Sequence, residues 1–287
     1  MKISISKKRV SRSLMGDIIL FLFIGLVAFV MVIPMLFAIS NAFKPMNEIF
    51  LFPPKILVRN PTGDNFTQLF VIMQNAQVPF LRYVFNSLFI TGMGTVLNII
   101  IASMCAYPLA KIKVPFTGAI FSLIVLTLMF SREITTLPNY LLMSRLHLVD
   151  TYAAIIFPAV ASSVGLFLMK QFMEANVSDT LLEAAKIDGS GELRTFFKIV
   201  MPLVKPAWLT MIIFNVQALW GETGGLFTYR EELKTLPYAL SQILSGGLVR
   251  TGPAAAATLF MMLVPVLTFL FTQSSIIETM ATSGIKE

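Results

Sequence analysis

Residues 183–202 read EAAKIDGSGELRTFFKIVMP. This stretch is polar and charged, yet long apolar segments lie on both sides of it. A segment of about 20 apolar residues is long enough to cross the roughly 30 Å of hydrocarbon in a bilayer. The stretch is therefore predicted to connect two membrane spans outside the bilayer, and the apolar segments around it decide the fold.

The composition of the 287-residue chain is typical of a membrane protein. Its residues are 56% hydrophobic and 13% charged, whereas a soluble domain has about 25% charged residues. The formal net charge is +7, and the basic residues flank the apolar segments. This placement indicates contact with an anionic membrane face rather than with nucleic acid. The single cysteine, Cys105, cannot form an intrachain disulfide.

We predict an all-α, polytopic fold with six transmembrane helices. None of the six apolar segments contains a charged residue or a histidine. The first follows a basic N-terminus and is longer than the apolar core of a signal peptide, which has about 7–15 residues. The fifth is short, and we expect its helix to extend towards Gly221. The segments are 18–40, 83–110, 114–130, 151–169, 207–220 and 254–273.

The placement of lysine and arginine predicts the orientation of these spans. The bias over the whole chain is modest, but the N-terminal cluster Lys2, Lys7, Lys8, Arg9 and Arg12 is expected to stay in the cytoplasm. Six spans then place both termini and the stretch around Glu183 on the cytoplasmic side. The segment 42–82 is rich in proline and glycine, and we expect an ordered outer loop with little regular structure.

The polar stretch encodes a short helix, an elbow and a second short helix. Thr180 and Glu183 fit a capping box, in which the threonine caps the helix and the glutamate reaches back to it. Gly189 is predicted to end the first helix, because glycine tolerates the left-handed conformation found there. A second helix over 191–200 is expected to stop near Pro202.

This stretch resembles the EAA loop of the permease subunits of bacterial binding-protein-dependent ABC importers. Met201 stands where the family often has leucine, which is a volume-conserving change. The resemblance implies that residues 173–204, which we call the coupling segment, dock on a separate ATPase. A plain connector would account for Glu183 and Gly189 but not for the adjacent small residues. The residues that match the family motif are Glu183, Ala184, Ala185, Asp188, Gly189, Ile199 and Pro202.

Further short motifs look like those of the carbohydrate branch of these permeases, of the type of the smaller permease subunit of the maltose importer. The resemblance implies a type I ABC importer permease fold. Residues 1–82 would hold the first span and the outer loop, 83–273 the permease core, and 274–287 a cytoplasmic tail. The motifs are Asn41-Ala42-Phe43-Lys44-Pro45, Asn86-Ser87-Leu88, Ala106-Tyr107-Pro108-Leu109-Ala110-Lys111, Leu137-Pro138-Asn139-Tyr140 and Thr235-Leu236-Pro237.

The same resemblance implies a function and a set of partners. The chain would form half of the translocation pathway for a sugar or oligosaccharide in the bacterial plasma (inner) membrane. Its expected partners are a second permease subunit, cytoplasmic ATP-binding subunits, an extracytoplasmic solute-binding protein and membrane lipid, with no nucleic acid. We expect no cofactor on this chain, since ATP and Mg would bind to the partner ATPase.

Catalytic motifs are missing from the sequence. It has no Gly-x-x-x-x-Gly-Lys-Ser/Thr loop, which would hold the phosphates of ATP. The single histidine, His147, leaves no credible Ser/His/Asp arrangement and no histidine-based metal site. The sequence therefore predicts a transport subunit without an ATPase site of its own.

Four residues are candidates for the substrate pathway: Asn98 in the second span, and Asn215, Gln217 and Trp220 in the fifth. Amides are costly in hydrocarbon unless they are paired or hydrated. A sugar offers hydroxyls to the amides and an apolar ring face to the tryptophan. The alternative is hydrogen bonding between helices, with the tryptophan at a membrane interface.

Other functions remain open at this point. An ABC permease for another polar solute fits the same residues. An ion-coupled secondary transporter is a second alternative, but proton-coupled carriers usually need an ionisable relay within the membrane, and the six segments contain none. A membrane-embedded enzyme is a third, and it lacks a catalytic constellation.

Overall fold

A computed structural model describes residues 14–74, 78–112 and 115–283, and no strand occurs within these ranges. The basic N-terminal cluster, the first predicted residue of the third span and the last four residues of the tail lie outside them. The helices are α1 Leu14–Phe43, α2 Met46–Ile49, α3 Asp64–Gln74, α4 Phe80–Lys111, α5 Thr117–Thr127, α6 Arg132–Arg145, α7 Tyr152–Val160, α8 Ser163–Asn176, α9 Asp179–Ile187, α10 Glu192–Thr195, α11 Met201–Leu203, α12 Lys205–Trp220, α13 Leu236–Ser245 and α14 Thr251–Ser283. A π-helical turn covers Phe196–Val200, and 3₁₀ turns cover Glu231–Leu233 and Leu248–Arg250.

The predicted helical membrane fold is confirmed. Within the described residues, four helical stretches are long and apolar enough to cross a membrane: Met15–Phe43, Phe80–Lys111, Tyr152–Asn176 and Leu248–Gln273. Two bent pairs raise this number to six if each pair forms one span. The pairs are α5 with α6, bent by 107°, and Glu192–Leu203 with α12, bent by 78°.

The third span differs from the predicted segment 114–130. Helix α5 has 11 residues, about 17 Å at a rise of about 1.5 Å per residue, which is too short to cross hydrocarbon alone. Phe116 precedes it with a left-handed φ of 64°, which cannot continue a right-handed helix. Helix α5 reaches the length of a span only together with the sharply bent α6.

The fourth span contains a break that the sequence segment 151–169 did not indicate. The helix stops at Val160, and Ser162 caps the next one by accepting a hydrogen bond from the N–H of Gly165 at 3.2 Å. The break leaves carbonyl groups without helical partners. Asn98 of α4 donates its side-chain amide to the carbonyls of Ala159 and Val160, at 3.1 and 2.9 Å. One side-chain amide thus supplies hydrogen-bond partners to two carbonyl groups at the C-terminal end of α7.

The helices of the fifth and sixth spans cover the predicted segments 207–220 and 254–273. Helix α12 begins at Lys205 and ends at the predicted Trp220, and α14 exceeds its predicted segment at both ends. Helix α12 is followed by Gly221 as its C-cap, as expected. Pro206 lies in the first turn of α12, where its missing N–H has no helical partner to lose. Helix α14 continues to Ser283, past the predicted end at 273.

By contact density the chain divides into two compact units, Met1–Leu69 with Leu248–Leu259, and Phe70–Gly247 with Phe260–Glu287. In the first unit, polar side chains organise the segment after α1. The buried Asn65 donates to the carbonyls of Ala42 and Lys44 at 2.9 and 2.8 Å. The buried Glu48 accepts from the N–H of Arg59 at 2.7 Å. The predicted loop is therefore held by its own side chains, but the expectation of little regular structure was wrong, because α2 and the 11-residue α3 lie within it.

In the second unit, an apolar cluster joins α4, α8 and α12 to the coupling segment. Small residues on α4 let the neighbouring helices approach closely, which favours packing within a bilayer. The second half of the coupling segment contributes three buried residues, so it packs as part of this cluster. The members are Ala102, Ala106, Tyr107, Met169, Met173, Val177, Phe196, Val200, Val204, Ala207 and Met211.

Candidate functional site

Gly189 ends α9 as the sequence predicts. Its φ is 76°, in the left-handed region. The N–H of Gly189 donates to the carbonyl of Lys186 at 3.1 Å, and the N–H of Ser190 donates to that of Ala185 at 2.9 Å. These two bonds form a Schellman motif, which satisfies the last carbonyls of the helix. A Cβ at this position would meet nothing within 4 Å, so only the backbone conformation requires glycine.

The predicted capping box is wrong. The N-cap of α9 is Ser178, whose Oγ accepts from the N–H of Leu181 at 3.3 Å, while Thr180 lies inside the helix. Starting at Ser178 places Asp179 in the first turn, where a carboxylate interacts favourably with the helix dipole. Glu183 therefore does not cap the helix; it is exposed on its surface.

The second half of the coupling segment is less regular than the predicted helix over 191–200. A short α-helical turn passes into the π-helical turn Phe196–Val200, in which the N–H of Met201 donates to the carbonyl of Phe196. Pro202 has no N–H, and its ring would clash with the carbonyl four residues before it in an α-helix. The wider turn before the proline avoids that clash.

Both halves of the coupling segment are held by the same end of α4. The hydroxyl of Tyr107 donates to Oε2 of Glu192 at 3.1 Å, and its ring lies 5.6 Å from that of Phe196. The ammonium of Lys111 pairs with Oδ1 of Asp179 at 2.9 Å. The last turns of α4 thus contact the N-terminal ends of both α9 and α10.

The coupling segment also exposes large apolar side chains. Ile187 is 86% exposed and Leu193 is 66% exposed. Large exposed apolar groups on a polar segment are candidates for contact with a partner, and sequence reasoning missed these because it followed the family motif. We call the following set the apolar face: Leu181, Ile187, Leu193, Phe197 and Leu203.

Most residues of the family motif share this exposure. Two residues differ: Ala185 lies on the buried side of α9, and Ile199 is half-buried. The small pair is therefore divided, with one alanine facing the protein and the other facing outwards. The exposed members are Glu183, Ala184, Asp188, Gly189 and Pro202.

A cavity of about 550 Å³ lies within the second unit, a size typical of sites that bind small molecules. Its charged side chains, Arg132 and Glu222, form an ion pair with each other. Hydroxyl and amide groups make up the rest of its polar lining: Thr127, Thr135, Thr136, Asn139, Ser162, Ser163 and Asn215. This lining offers many hydrogen bonds to a polar solute without presenting an unpaired charge.

Of the four candidate pathway residues, only Asn215 lines this cavity. Its amide donates to Oδ1 of Asn98 at 2.8 Å, and Asn98 is buried with its own amide bonded to the end of α7. Trp220 is also buried, and its Nε1 donates to the carbonyl of Met261 at 2.7 Å. Gln217 is exposed outside the cavity lining. For Asn98 and Trp220 the geometry favours the alternative of helix packing.

A polar cluster joins the start of α7 to the loop after α12. Oδ1 of Asp150 accepts from the N–H groups of Tyr229 and Arg230 at 2.8 and 2.9 Å, and Oδ2 accepts from Nε of Arg230 at 2.6 Å. Partial burial opposes ionisation, but these hydrogen bonds and the guanidinium outweigh it and lower the pKa of Asp150. No group of three or more His, Cys, Asp or Glu side chains that could hold a metal ion occurs in the described part of the chain.

The chain is similar in sequence to permease proteins of known transport systems. It is 31% identical over 277 residues to the arabinooligosaccharides transport system permease protein AraQ of Bacillus subtilis, covering 94% of this chain and 95% of that protein. It is also 31% identical over 205 residues to the melibiose/raffinose/stachyose import permease protein MelC of Bacillus subtilis, covering 70% of this chain and 74% of that one. No protein-family model matches the chain.

The fold is similar to that of a solved transporter. A chain in the crystal structure of a bacterial ABC transporter involved in the import of the acidic polysaccharide alginate matches with a TM-score of 0.77 and 19% sequence identity, over 91% of this chain and 96% of that chain. At this identity the likeness shows the fold, and the sequence relatives show the family. This multi-pass membrane protein belongs to the permease proteins of ABC transport systems.

Proposed function

We propose that this chain forms half of the translocation pathway for a sugar or oligosaccharide and receives the energy of ATP hydrolysis through its coupling segment. The observation that carries the proposal is the apolar face on that segment. It projects Ile187 and Leu193 outwards, while the buried Phe196 and Val200 anchor the segment from behind. Such a surface can bind a partner and pass a force to the helices beneath it.

The chemistry of the apolar face fits a protein partner. Ala184 is small and exposed beside Ile187 and would let another backbone approach closely. Exposed charges of both signs flank these groups, with Glu183 and Asp188 acidic and Lys186, Arg194 and Lys198 basic, which favours a partner with an apolar pocket and a polar rim of mixed charge. We propose a cytoplasmic ATPase subunit as that partner, with the apolar side chains seated in its pocket.

A sugar is the proposed solute because the relatives and the cavity support it together. The similar proteins bear names that refer to arabinooligosaccharides and to melibiose, raffinose and stachyose. The polar part of the cavity lining consists of hydroxyls, amides and a paired Arg132 and Glu222, which suits the many hydroxyl groups of a sugar, and the rest of the lining is apolar. An importer for another polar solute remains the second candidate.

The remaining partners follow from the same proposal. A second permease subunit would complete the pathway, and a solute-binding protein would deliver the solute from outside the membrane. A solved alginate transporter with 18% sequence identity is in complex with a periplasmic protein that holds an alginate pentasaccharide. ATP and Mg would bind to the ATPase, because this sequence has no phosphate-binding loop. Membrane lipid surrounds the spans, and nucleic acid has no proposed role.

The location is proposed with the same partners. The chain would lie in the bacterial plasma membrane with both termini and the coupling segment in the cytoplasm. This orientation brings the apolar face to the side of the membrane where ATP is available.

Purifying the transporter with variants of the apolar face tests the proposal. We expect the double variant Ile187→Asn and Leu193→Asn to insert and pair with the second permease but to lose the ATPase during purification. The matched control replaces Leu226 and Leu244, which are exposed elsewhere, with asparagine and should retain it. Normal ATPase retention and normal solute uptake in the Ile187/Leu193 variant would contradict the proposal.

A further inference from the structure

The outer motifs of the sequence meet at the N-terminal end of α4. The buried amide of Asn86 donates to the carbonyls of Glu232 and Lys234 at 2.8 and 2.7 Å. The buried hydroxyl of Ser87 accepts from the N–H of Leu236 at 2.8 Å. Two neighbouring residues of α4 thus bind the backbone of residues 231–236, which we call the outer segment.

Further contacts strengthen this junction. The hydroxyl of Tyr83 donates to Oε1 of Glu231 at 2.6 Å. Nε of Arg82 donates to the carbonyl of Glu232 at 3.2 Å. The hydroxyl of Tyr152 donates to Oδ1 of Asn86 at 2.7 Å, so the whole amide of Asn86 is engaged. Side chains of four α4 residues, Arg82, Tyr83, Asn86 and Ser87, therefore hold the outer segment.

The opposite end of α4 holds the coupling segment. Within the described residues, the polar side-chain contacts from α4 to the coupling segment are those of Tyr107 with Glu192 and of Lys111 with Asp179. The side chain of Lys111 is 8% exposed, whereas that of Asp179 is 77% exposed. Each contact joins a side chain of α4 that is held in place to an acidic group of the coupling segment. Helix α4 thus connects the outer segment to α9 and α10 of the coupling segment.

We propose that Tyr107 and Lys111 are positioning residues for energy coupling. They make the coupling segment move as one body with α4, so that a change at the ATPase reaches the outer segment through this helix. The inference rests on the proposed function, because it takes the coupling segment to be the site where the ATPase binds. It adds the residues of this chain that would transmit the movement from the coupling segment to α4.

The side chains allow the contacts to be removed without dismantling the core. Tyr107→Phe deletes only the hydroxyl and keeps the ring against Phe196. Lys111→Met keeps the apolar stem and deletes the charge. The acidic partners are left accessible to water, since Glu192 and Asp179 are both exposed. Assembly should therefore survive the double variant.

The test uses the purified transporter with its second permease and its ATPase, with Cys105→Ser to remove the native cysteine. Glu232→Cys on the exposed part of the outer segment reports its state through the rate of maleimide labelling. ATP, Mg²⁺ and vanadate trap the ATPase. In the parent complex, trapping should change the labelling rate by about 5-fold or more, the lower end of typical allosteric coupling.

With Tyr107→Phe and Lys111→Met, vanadate should still be trapped while the labelling rate no longer responds. The control variant, Tyr140→Phe with Lys205→Met, lies outside both junctions and should respond like the parent. Charge reversal supplies the rescue: Lys111→Asp alone should abolish the response, and adding Asp179→Lys should restore it. A purely structural role predicts no such rescue.

Each outcome decides a separate claim. An unchanged response in the Tyr107/Lys111 variant overturns this inference, as does a parent complex whose outer segment does not respond to trapping. If the Tyr107/Lys111 variant fails to assemble, the charge reversal decides, and failed rescue overturns the inference. A purified parent complex that traps no vanadate because no ATPase is bound would instead overturn the proposed function.

Discussion

The side-chain amide of Asn215 donates to Oδ1 of Asn98 across 2.8 Å, although 117 positions separate the two residues. Asn98 passes the connection on to the end of α7 through the carbonyls of Ala159 and Val160. One buried side chain thus joins α4, α7 and α12. Because an unpaired amide is costly away from water, this network fixes how the three helices pack.

Removing that central amide should destabilise the protein. We expect Asn98→Ala to lower the free energy of unfolding by about 1–3 kcal/mol, since it leaves two carbonyls and the amide of Asn215 without partners. Asn215→Ala removes one bond and should cost about 0.6 kcal/mol, a typical value between membrane helices. Thermal unfolding of the purified complex measures both. Equal losses in the two variants would contradict the central position of Asn98.

A side chain at Gly189 should disturb the coupling segment. Gly189→Val forces a β-branched residue into a left-handed conformation, at a cost of about 1–2 kcal/mol. We expect normal insertion, weaker ATPase retention and a sharp fall in uptake. Gly191→Val is the control, since Gly191 has a φ of −70° and open space around it. Normal assembly and transport in Gly189→Val would show that this elbow does not matter for coupling.

The observed N-cap at Ser178 changes which substitution is expected to weaken α9 most among those at Ser178, Thr180 and Glu183. Ser178→Ala should weaken α9 by about 1 kcal/mol, the usual cost of losing an N-cap. Thr180→Ala should have little effect, because Thr180 lies within the helix. Glu183→Ala should leave helix stability unchanged and affect ATPase binding only. Amide hydrogen exchange across α9 separates these effects, and greater loss of protection in Thr180→Ala would restore the capping box.

The Asp150 cluster should have a defined pH dependence. Its lowered pKa means that ionised Asp150 stabilises the fold at pH values above about 3.9, its ordinary unfolded pKa, and that this contribution disappears as pH falls through the folded pKa. Asp150→Asn should therefore unfold at a lower temperature than the parent at pH 7, with a gap that is constant between pH 5 and 8 and shrinks near pH 3. Asp64→Asn, at an exposed site, is the control. A gap that persists at low pH would contradict the role of the charge.

Orientation can be read from cysteine accessibility in the Cys105→Ser background. A membrane-impermeant maleimide should label Asp64→Cys from outside intact cells and Lys186→Cys only after the membrane is opened. Both positions are exposed, so reactivity reports the side of the membrane. External labelling of Lys186→Cys would exclude an ATPase site on the coupling segment.

Sequence reasoning located the elements more reliably than their interruptions. Apolar length predicted α1, α4 and α14 because composition alone determines whether a long helix can cross a bilayer. It could not predict the short α5, because the left-handed Phe116 belongs to a residue type that rarely adopts this conformation. The break after Val160 was equally hidden, since its stability depends on Asn98, a residue distant in sequence.

The candidate site shows the same division. The role of Gly189 could be predicted because a glycine directly after an amphipathic helix indicates the end of that helix from local sequence alone. The cap was misassigned because Ser178 and Thr180 are both good N-cap residues, and Glu183 favoured the wrong one. In the structure Asp179 follows the cap at Ser178 and pairs with Lys111, a residue distant in sequence. Contacts of this kind need the tertiary structure.

The double attachment of α4 also sets a rule for its length. Ser87 and Tyr107 must each point at a fixed partner, one at either end of a single unbroken helix. Each residue inserted between them would rotate one end relative to the other by about 100° and lengthen the helix by about 1.5 Å. The number of residues in α4 therefore fixes the angle between its two sets of contacts, and losing or gaining one residue would point one set away from its partners. The segment between α2 and α3 could take the same change without altering any helix.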